Sequence, residues 1–225
     1  MTFRWSPHAE HVLSLFKPWL AGDGYAEVVI QQKEAQFGIR FPQILRDFYR
    51  AWGNRNDLTG DGRATYLFPF NILFMTHNYL IIGATHQTTF YFAISITDRD
   101  PDDPPVYFAV NDDGPHSWNL SHNHVSAFLD EVAYQNALSG TALHGGVSER
   151  QPRDLEASIA QHWRKLEVDA PVWGLVPGIA MPRWAVYVGD GQVLAGHQQI
   201  WAAARSLDDL AEIARVLSLR WETWW

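Results

Sequence analysis

Apolar residues recur with a helical period between Pro42 and Gly53. The positions spaced i, i+1, i+4, i+5 and i+8 are Ile44, Leu45, Phe48, Tyr49 and Trp52. This spacing places them on one face of an amphipathic helix. Gly38 can adopt the positive φ that closes a preceding helix, and Pro42 suits the first turn of the next, where a missing N–H costs nothing. The segment therefore predicts two helices joined by a sharp corner, without a nucleophile or a pair of acids.

Shorter apolar runs predict the strands of a sheet. Runs of aromatic and β-branched residues occupy positions 66–68, 79–82, 90–96 and 106–110. No Asp, Glu, Lys or Arg occurs in residues 64–97, but polar residues, Pro69 and Gly83 interrupt every window of the roughly 20 apolar residues that a membrane helix needs. We therefore interpret this stretch as buried strands rather than a membrane span. An amphipathic helix over residues 125–140 follows the strands.

The periodicity breaks over residues 141–153, which contain Gly145, Gly146, Ser148 and Pro152. The break predicts a first domain over residues 1–145 and a C-terminal extension over residues 150–225. The expected fold class is α+β: a curved, mainly antiparallel sheet flanked by helices, with a smaller C-terminal α/β extension packed on it.

The C-terminal extension has its own helix and strand signals. They predict a helix near 155–166, a hairpin over 184–195, a strand near 199–203 and a last helix that starts after Ser206, with Asp209 completing a capping box. Three tryptophans near the end of the chain, Trp221, Trp224 and Trp225, either cover the core of the extension or form an exposed anchor. The usual burial of aromatic side chains favours the first interpretation.

The composition restricts the classes of function. The chain has 225 residues, a formal net charge of −8 and no cysteine. The negative charge repels a nucleic-acid backbone and attracts a basic partner. The lack of cysteine excludes a disulfide-held secreted fold and a cysteine-ligated zinc site. The first residues contain no apolar signal-peptide core, so we expect a cytoplasmic protein without a membrane anchor.

Histidine is the first place to look for catalysis. The candidates are His116, His122, His124 and His144. With Asp112 or Asp113, a pair of histidines on one strand face would suit a zinc or manganese hydrolase, whereas the competing interpretation is a polar turn before the next helix. The sequence lacks a nucleophile elbow, a phosphate-binding glycine loop and the histidine pattern of a metalloprotease helix. We therefore predict no metal and no cofactor, and we keep the metal-dependent hydrolase as the alternative.

An acidic loop, defined by Asp98, Asp100, Asp102 and Asp103, lies between two predicted strands and contains three prolines. A calcium loop would need a glycine bend and a distal bidentate glutamate, which are absent. Two interpretations stay open. The loop is a solvated turn, or it is a contact surface for a basic protein, stiffened by its prolines so that docking loses little entropy. Asp112 and Asp113, in the next predicted turn, belong to the same candidate surface.

Three motifs occur in the order found in one protein family. The first consists of Glu34, Phe37, Gly38, Phe41, Pro42, Phe48, Tyr49 and Gly53. The second is the turn Asp103, Pro104, Pro105, Val106 and Tyr107, and the third is the helix start Ser126, Phe128 and Leu129. Together they resemble the signature of the SUKH superfamily, the cell-wall-regulator-like proteins that in bacteria serve mostly as immunity proteins against secreted toxins. The resemblance covers about residues 26–140 and departs from the pattern at Asn54, where family members often carry a second glycine.

The resemblance implies a non-catalytic protein that neutralises a cognate toxin by masking its active surface. It implies a toxin with a basic surface as the partner, and a monomer or weak homodimer without a cofactor. It assigns a structural role to Glu34, Gly38, Pro42, Phe48, Tyr49, Trp52, Gly53 and Pro105. A further alternative is a regulatory scaffold protein, which is the role that the resemblance implies for the eukaryotic relatives.

Overall fold

The computed structural model describes residues 3–18, 20–59, 65–85, 88–98, 102–111, 117–138, 142–149, 155–165, 185–196 and 199–224. The chain forms two compact units, residues 1–9 with 19–132 and residues 10–18 with 133–225. Each unit combines helices with an antiparallel sheet, which confirms the predicted α+β class.

The first unit carries the predicted corner and the predicted strands. From the N-terminus, the elements are α1 (Ala9–Ser14, which continues into the second unit), α2 (Glu27–Phe37), α3 (Gln43–Trp52), β1 (Thr65–Leu67), β2 (Phe74–Thr76), β3 (Tyr79–Thr85), β4 (Phe90–Ser95), β5 (Val106–Val110), β6 (Asn119–His122) and α4 (Val125–Asn136). The strand order is β1-β3-β4-β5-β6, with β2 also paired to β3, and all pairs are antiparallel. Leu80 pairs with Ile94 across β3 and β4, so both side chains project from the same face of the sheet.

The corner between α2 and α3 forms as the sequence predicts. Gly38 adopts a left-handed conformation with φ 69° and ψ 24°. Its N–H bonds to the carbonyl of Ala35, and the N–H of Ile39 bonds to the carbonyl of Glu34, which is a Schellman motif. Pro42 is the N-cap residue of α3 and not part of its first turn, because its ψ of 142° is extended and the helix begins one residue later.

Glu34 is buried inside this corner although it is charged. The backbone N–H of Phe41 donates to Glu34 Oε1 at 2.7 Å, and Arg46 Nη1 forms an ion pair with Oε2. The carboxylate therefore joins the end of α2, the corner and α3. Its charge is tolerated because both oxygens have donors, one of them cationic.

The predicted inward face of α2 is only partly correct. The apolar pattern predicts that Ala26, Val29, Ile30 and Phe37 point inward. Ile30 is buried and Phe37 is half-buried, but Ala26 and Val29 are exposed. The buried residues of α2 are Ile30 and Glu34. The sequence pattern misleads here because the ion pair with Arg46 brings a glutamate inside while a valine faces solvent.

The inward face of α3 is confirmed. Leu45, Phe48, Tyr49 and Trp52 are buried. Tyr49 Oη donates to the carbonyl of Phe68 at 2.7 Å, so the helix is fixed to the segment after β1 by a hydrogen bond as well as by packing.

The second unit contains a sheet in the order β12-β7-β11-β10-β9-β8, with antiparallel pairs throughout. Its elements are β7 (His144–Ser148), α5 (Glu156–His162), β8 (Arg164–Lys165), β9 (Ala185–Gly189), β10 (Gln192–Gly196), β11 (Ile200–Ala204), α6 (Leu207–Leu217) and β12 (Thr223–Trp224). Ser206 caps α6 by accepting from the N–H of Asp209 at 3.1 Å, as the sequence predicts.

Trp221 belongs to the core of the second unit. It is 6% exposed and packs in a cluster that includes Leu210, Ile213 and Leu217. This confirms the core interpretation for Trp221, whereas Trp225 lies outside the described residues. The backbone of Trp224 pairs with Gly146 in β7. The division into domains over residues 1–145 and 150–225 stays a prediction.

Candidate functional site

A cleft of about 390 Å³ opens in the first unit, between the corner after α2 and the strands β3 and β4. We call it the acidic cleft and define it by its lining: residues 39–43 of the corner, Leu80, residues 94–96, Asp98 and Asp102. The Schellman motif turns the chain so that residues 39–43 form one wall. The antiparallel pairing of β3 with β4 supplies the other.

The floor of the acidic cleft is apolar and its rim is charged. Phe41, Leu80 and Ile94 are each at most 2% exposed, so the floor of the cleft is part of the packed core. Arg40 and Asp102 are exposed at the rim. An apolar base with a few polar groups at its edge is the usual composition of a binding pocket.

Asp98 is the unusual group of the cleft. Tyr107 Oη donates a long hydrogen bond of 3.5 Å to Asp98 Oδ1, whereas Oδ2 is shielded from solvent and accepts no hydrogen bond from the described residues. Burial disfavours the charged form and raises the pKa of Asp98 above its usual value, and the Tyr107 hydrogen bond only partly opposes this. The carboxylate therefore has hydrogen-bonding capacity that the described part of the chain leaves unused.

The two other described aspartates of the loop have different roles. The backbone carbonyl of Asp102 accepts from the N–H of Ile44 at 3.0 Å, which fixes the loop to α3. Both carboxylate oxygens of Asp103 accept from Ser126, at 2.9 Å from its N–H and 2.6 Å from its hydroxyl. Asp103 therefore caps the start of α4 from a distant loop. The loop is held at one end by two helices.

The neighbouring family motif contributes to the same anchoring. The carbonyl of Pro104 accepts from the N–H of Val125 at 2.9 Å, and Pro105 leads directly into β5. Pro105 is half-buried beside these contacts. The remaining predicted contact residues, Asp100, Asp112 and Asp113, lie outside the described residues.

The histidines do not assemble into a described metal site. Both ring nitrogens of His122 are engaged, Nδ1 with Ser121 Oγ at 2.8 Å and Nε2 with Glu131 Oε2 at 2.6 Å. His124 Nδ1 donates to the carbonyl of Asp103 at 3.2 Å. His144 lies in β7 of the second unit, and His116 lies outside the described residues. Within the described part of the chain, no three His, Asp or Glu residues cluster as metal ligands.

The polar set around His122 is a buried structural network. His122 is 2% and Glu131 6% exposed, and the imidazole meets the edge of Phe128 at a centroid distance of 5.2 Å. A partnered His and Glu between β6 and α4 holds these two elements together. The sequence suggested a polar turn at this place, and the pairing has no sequence signal because nine residues separate the two side chains.

The sequence identified the acids of the cleft but not its walls. No motif includes the residues of the walls, because these residues become neighbours only when the corner meets the sheet. They are Ile39, Arg40, Gln43 and residues 94–96. The sequence did contain one signal, an isoleucine at position 96, two residues before the acidic loop. In the structure this side chain is 43% exposed. Among the described residues, no helix has the length and apolarity to cross a membrane.

Comparison with known proteins identifies the first unit. Residues 24–131 match the model of the SMI1 / KNR4 family (SUKH-1). No curated protein and no solved structure matches the chain significantly. The matched segment contains the corner, the acidic cleft and the cap that Asp103 places on α4. This segment therefore carries a SUKH domain, as its three motifs predict.

Proposed function

We propose that this protein is a non-catalytic immunity protein that binds a cognate bacterial toxin and masks its active surface. The observation that carries the proposal is the family match over residues 24–131, together with an acidic loop that is anchored inside the matched segment. The proposed place of action is the cytoplasm, and the proposed active form is a monomer or weak homodimer.

The charge of the chain supports a basic partner. A formal charge of −8 produces a negative field that attracts a cationic surface and accelerates the first encounter. Toxins that act on nucleic acid need positively charged grooves for their substrate, so an acidic protein can compete for the same groove.

Anchoring of the acidic loop also supports binding. A loop that is already fixed by hydrogen bonds from Ile44 and Ser126 loses less conformational entropy when a partner docks. The backbone at Asp102 and Asp103 is therefore held in a defined place, which favours specificity over general attraction.

The catalytic alternative has weaker support in the described residues. A hydrolase needs a reactive group beside space for a substrate, but His122 is buried and its partners occupy both ring nitrogens. The regulatory scaffold remains the other alternative, and it differs from the immunity function in its partner rather than in its chemistry.

A co-expression experiment tests the proposal. The reading frame directly upstream of this gene is expressed in a bacterial host, alone and with the immunity candidate, and colony survival is counted. We expect killing by the upstream product alone and survival with the candidate, with a stable complex on size-exclusion chromatography. Survival without a complex, or a complex without rescue, contradicts toxin masking. Metal analysis of the tag-free protein tests the hydrolase alternative, which requires a stoichiometric ion.

A further inference from the structure

We infer that the acidic cleft is a pocket for one lysine or arginine side chain of the partner protein. The inference rests on the proposed function for the identity of the partner, and it adds the chemical class of the group that inserts. The cleft would then supply the buried anchor of the interface, while the exposed Asp102 and the net negative charge attract the partner from a distance.

The shape and lining of the cleft suit an amphipathic cation. The apolar lining of the cleft includes the exposed Ile96 and the half-buried Ile39 beside the buried floor, and the methylene stem of lysine or arginine can pack against it, as such stems do on apolar surfaces elsewhere. The charged head then reaches Asp98 and Asp102. A neutral aliphatic side chain would fill the floor but would bring no donor to Asp98 Oδ2.

The unused capacity of Asp98 points to a donor from outside the chain. A shielded carboxylate oxygen that accepts no hydrogen bond from the described residues is unfavourable unless another group donates to it, and native proteins keep few such oxygens without a functional reason. A cationic group from a partner would satisfy this oxygen and stabilise the ionised form. Charge-assisted hydrogen bonds of this type are the strong ones at interfaces.

Arg40 also lines the cleft, and removing its charge should change the affinity for a cation in the opposite direction to removing the charge of Asp98. Its guanidinium lies at the rim and carries the same charge as the proposed guest. Removing this charge should strengthen binding of a cation, whereas removing the charge of Asp98 should weaken it. A pocket for an anion would show the two opposite effects, and a pocket for a neutral side chain would show neither effect.

The experiment uses small probes and the full chain. N-acetyl-arginine N′-methylamide and N-acetyl-lysine N′-methylamide are titrated into labelled protein and followed by NMR amide shifts, with N-acetyl-norleucine N′-methylamide as the neutral probe. The variants are Asp98→Asn and Arg40→Gln. Asp208→Asn is the matched control, because it removes one exposed aspartate charge in α6 of the second unit.

We expect both cationic probes to shift the amides of residues 39–41, 43 and 94–98 with a Kd on the order of 1 mM, and the neutral probe to bind more weakly. Asp98→Asn should weaken the cationic probes about tenfold, which is the loss of one hydrogen bond to a charged group. Arg40→Gln should strengthen them about two- to fivefold, and Asp208→Asn should change nothing.

A folding check accompanies the titration. The folded-state pKa of Asp98 is raised, so its ionised form destabilises the native state once the pH exceeds the unfolded pKa. Asp98→Asn should therefore be at least as stable as the parent in urea at pH 7. Weaker probe binding by that variant then reports the pocket and not unfolding.

The outcomes separate this inference from the proposed function. Equal binding of the neutral and cationic probes, or no effect of Asp98→Asn, overturns the cation pocket even if the protein still rescues cells from its toxin. Charge-dependent probe binding without any toxin rescue supports the pocket and contradicts the immunity function.

Discussion

Glu34 shows how a single buried charge can define a family motif. Its carboxylate accepts from the N–H of Phe41 and pairs with Arg46, so it is needed for the corner and for the wall of the cleft. We predict that Glu34→Ala destabilises the first unit by about 1 to 3 kcal/mol, because it leaves the N–H of Phe41 without this acceptor and removes one of the two carboxylates, Glu27 and Glu34, that pair with the largely buried Arg46. Glu34→Gln should cost less, since its amide oxygen can still accept from Phe41. Urea unfolding measures the stability of both Glu34 variants.

The exposed ion pair of Glu212 with Arg215 supplies the control. Glu212→Gln should leave the urea midpoint unchanged.

Gly38 and Gly53 are required for different physical reasons, although both end a helix. Gly38 has φ 69°, and a Cβ at this position would have no atom within 4 Å, so only the backbone conformation excludes other residues. Gly53 has an ordinary φ of −63°, but a Cβ there would lie 2.7 Å from the carbonyl oxygen of Tyr49 and 2.8 Å from the ring of Tyr25.

The two glycines therefore predict different rescue patterns. Gly38→Ala should lower the free energy of unfolding by about 1 to 2 kcal/mol, and Gly38→Asn by less, because asparagine tolerates the left-handed region. Gly53→Ala should be destabilising through steric overlap, and Gly53→Asn should be worse still. Urea midpoints of the four variants measure this. Equal losses for alanine and asparagine at position 38 would contradict the backbone explanation.

At the scale of elements, α4 depends on a cap from far along the chain. Asp103 accepts two hydrogen bonds from Ser126, whereas the side chain of Asp102 is exposed beside it. We predict that Asp103→Ala lowers stability by about 1 kcal/mol, the usual effect of losing a cap. Asp208→Ala, which removes an exposed aspartate from α6, is the control and should unfold like the parent in urea. A parent-like midpoint for Asp103→Ala would show that the cap does not support the helix.

The sequence predicted those elements whose signals are local. The face of α3, the end of α2 at Gly38 and the Ser206 cap each depend on residues a few positions apart, and each is confirmed. Predictions failed where a distant partner decides the outcome. In α2, Glu34 is buried with its partner Arg46 while Val29 is exposed. The walls of the acidic cleft become neighbours only when the corner packs against the strands.

At the scale of the whole molecule, the second unit includes a segment from near the N-terminus. His11 Nε2 lies 2.8 Å from the carbonyl oxygen of Gly189 and 3.1 Å from that of Gln192, and the N–H of Leu143 donates to the carbonyl of Leu15 at 2.8 Å. We predict that a fragment of residues 150–225 does not fold alone, because it lacks this segment and also strand β7. Circular dichroism and urea unfolding measure this. A cooperative transition of the fragment would support an independent domain over residues 150–225.

The net charge of −8 attracts a basic partner to the molecule as a whole, and we propose that the acidic loop provides the local contact. We predict that Asp98→Asn together with Asp102→Asn slows association with the toxin and makes the on-rate less dependent on salt, because steering by exposed charges is screened over roughly 8 Å at physiological ionic strength. The off-rate should also rise, since the anchor in the acidic cleft loses its carboxylate. Surface plasmon resonance at low and high salt measures both rates, and Asp208→Asn together with Glu212→Gln, which removes the same two charges from α6, controls for net charge. Asp103 stays unchanged in this variant because it caps α4. An on-rate equal to that of the parent at every salt concentration would place the contact on another surface of the chain.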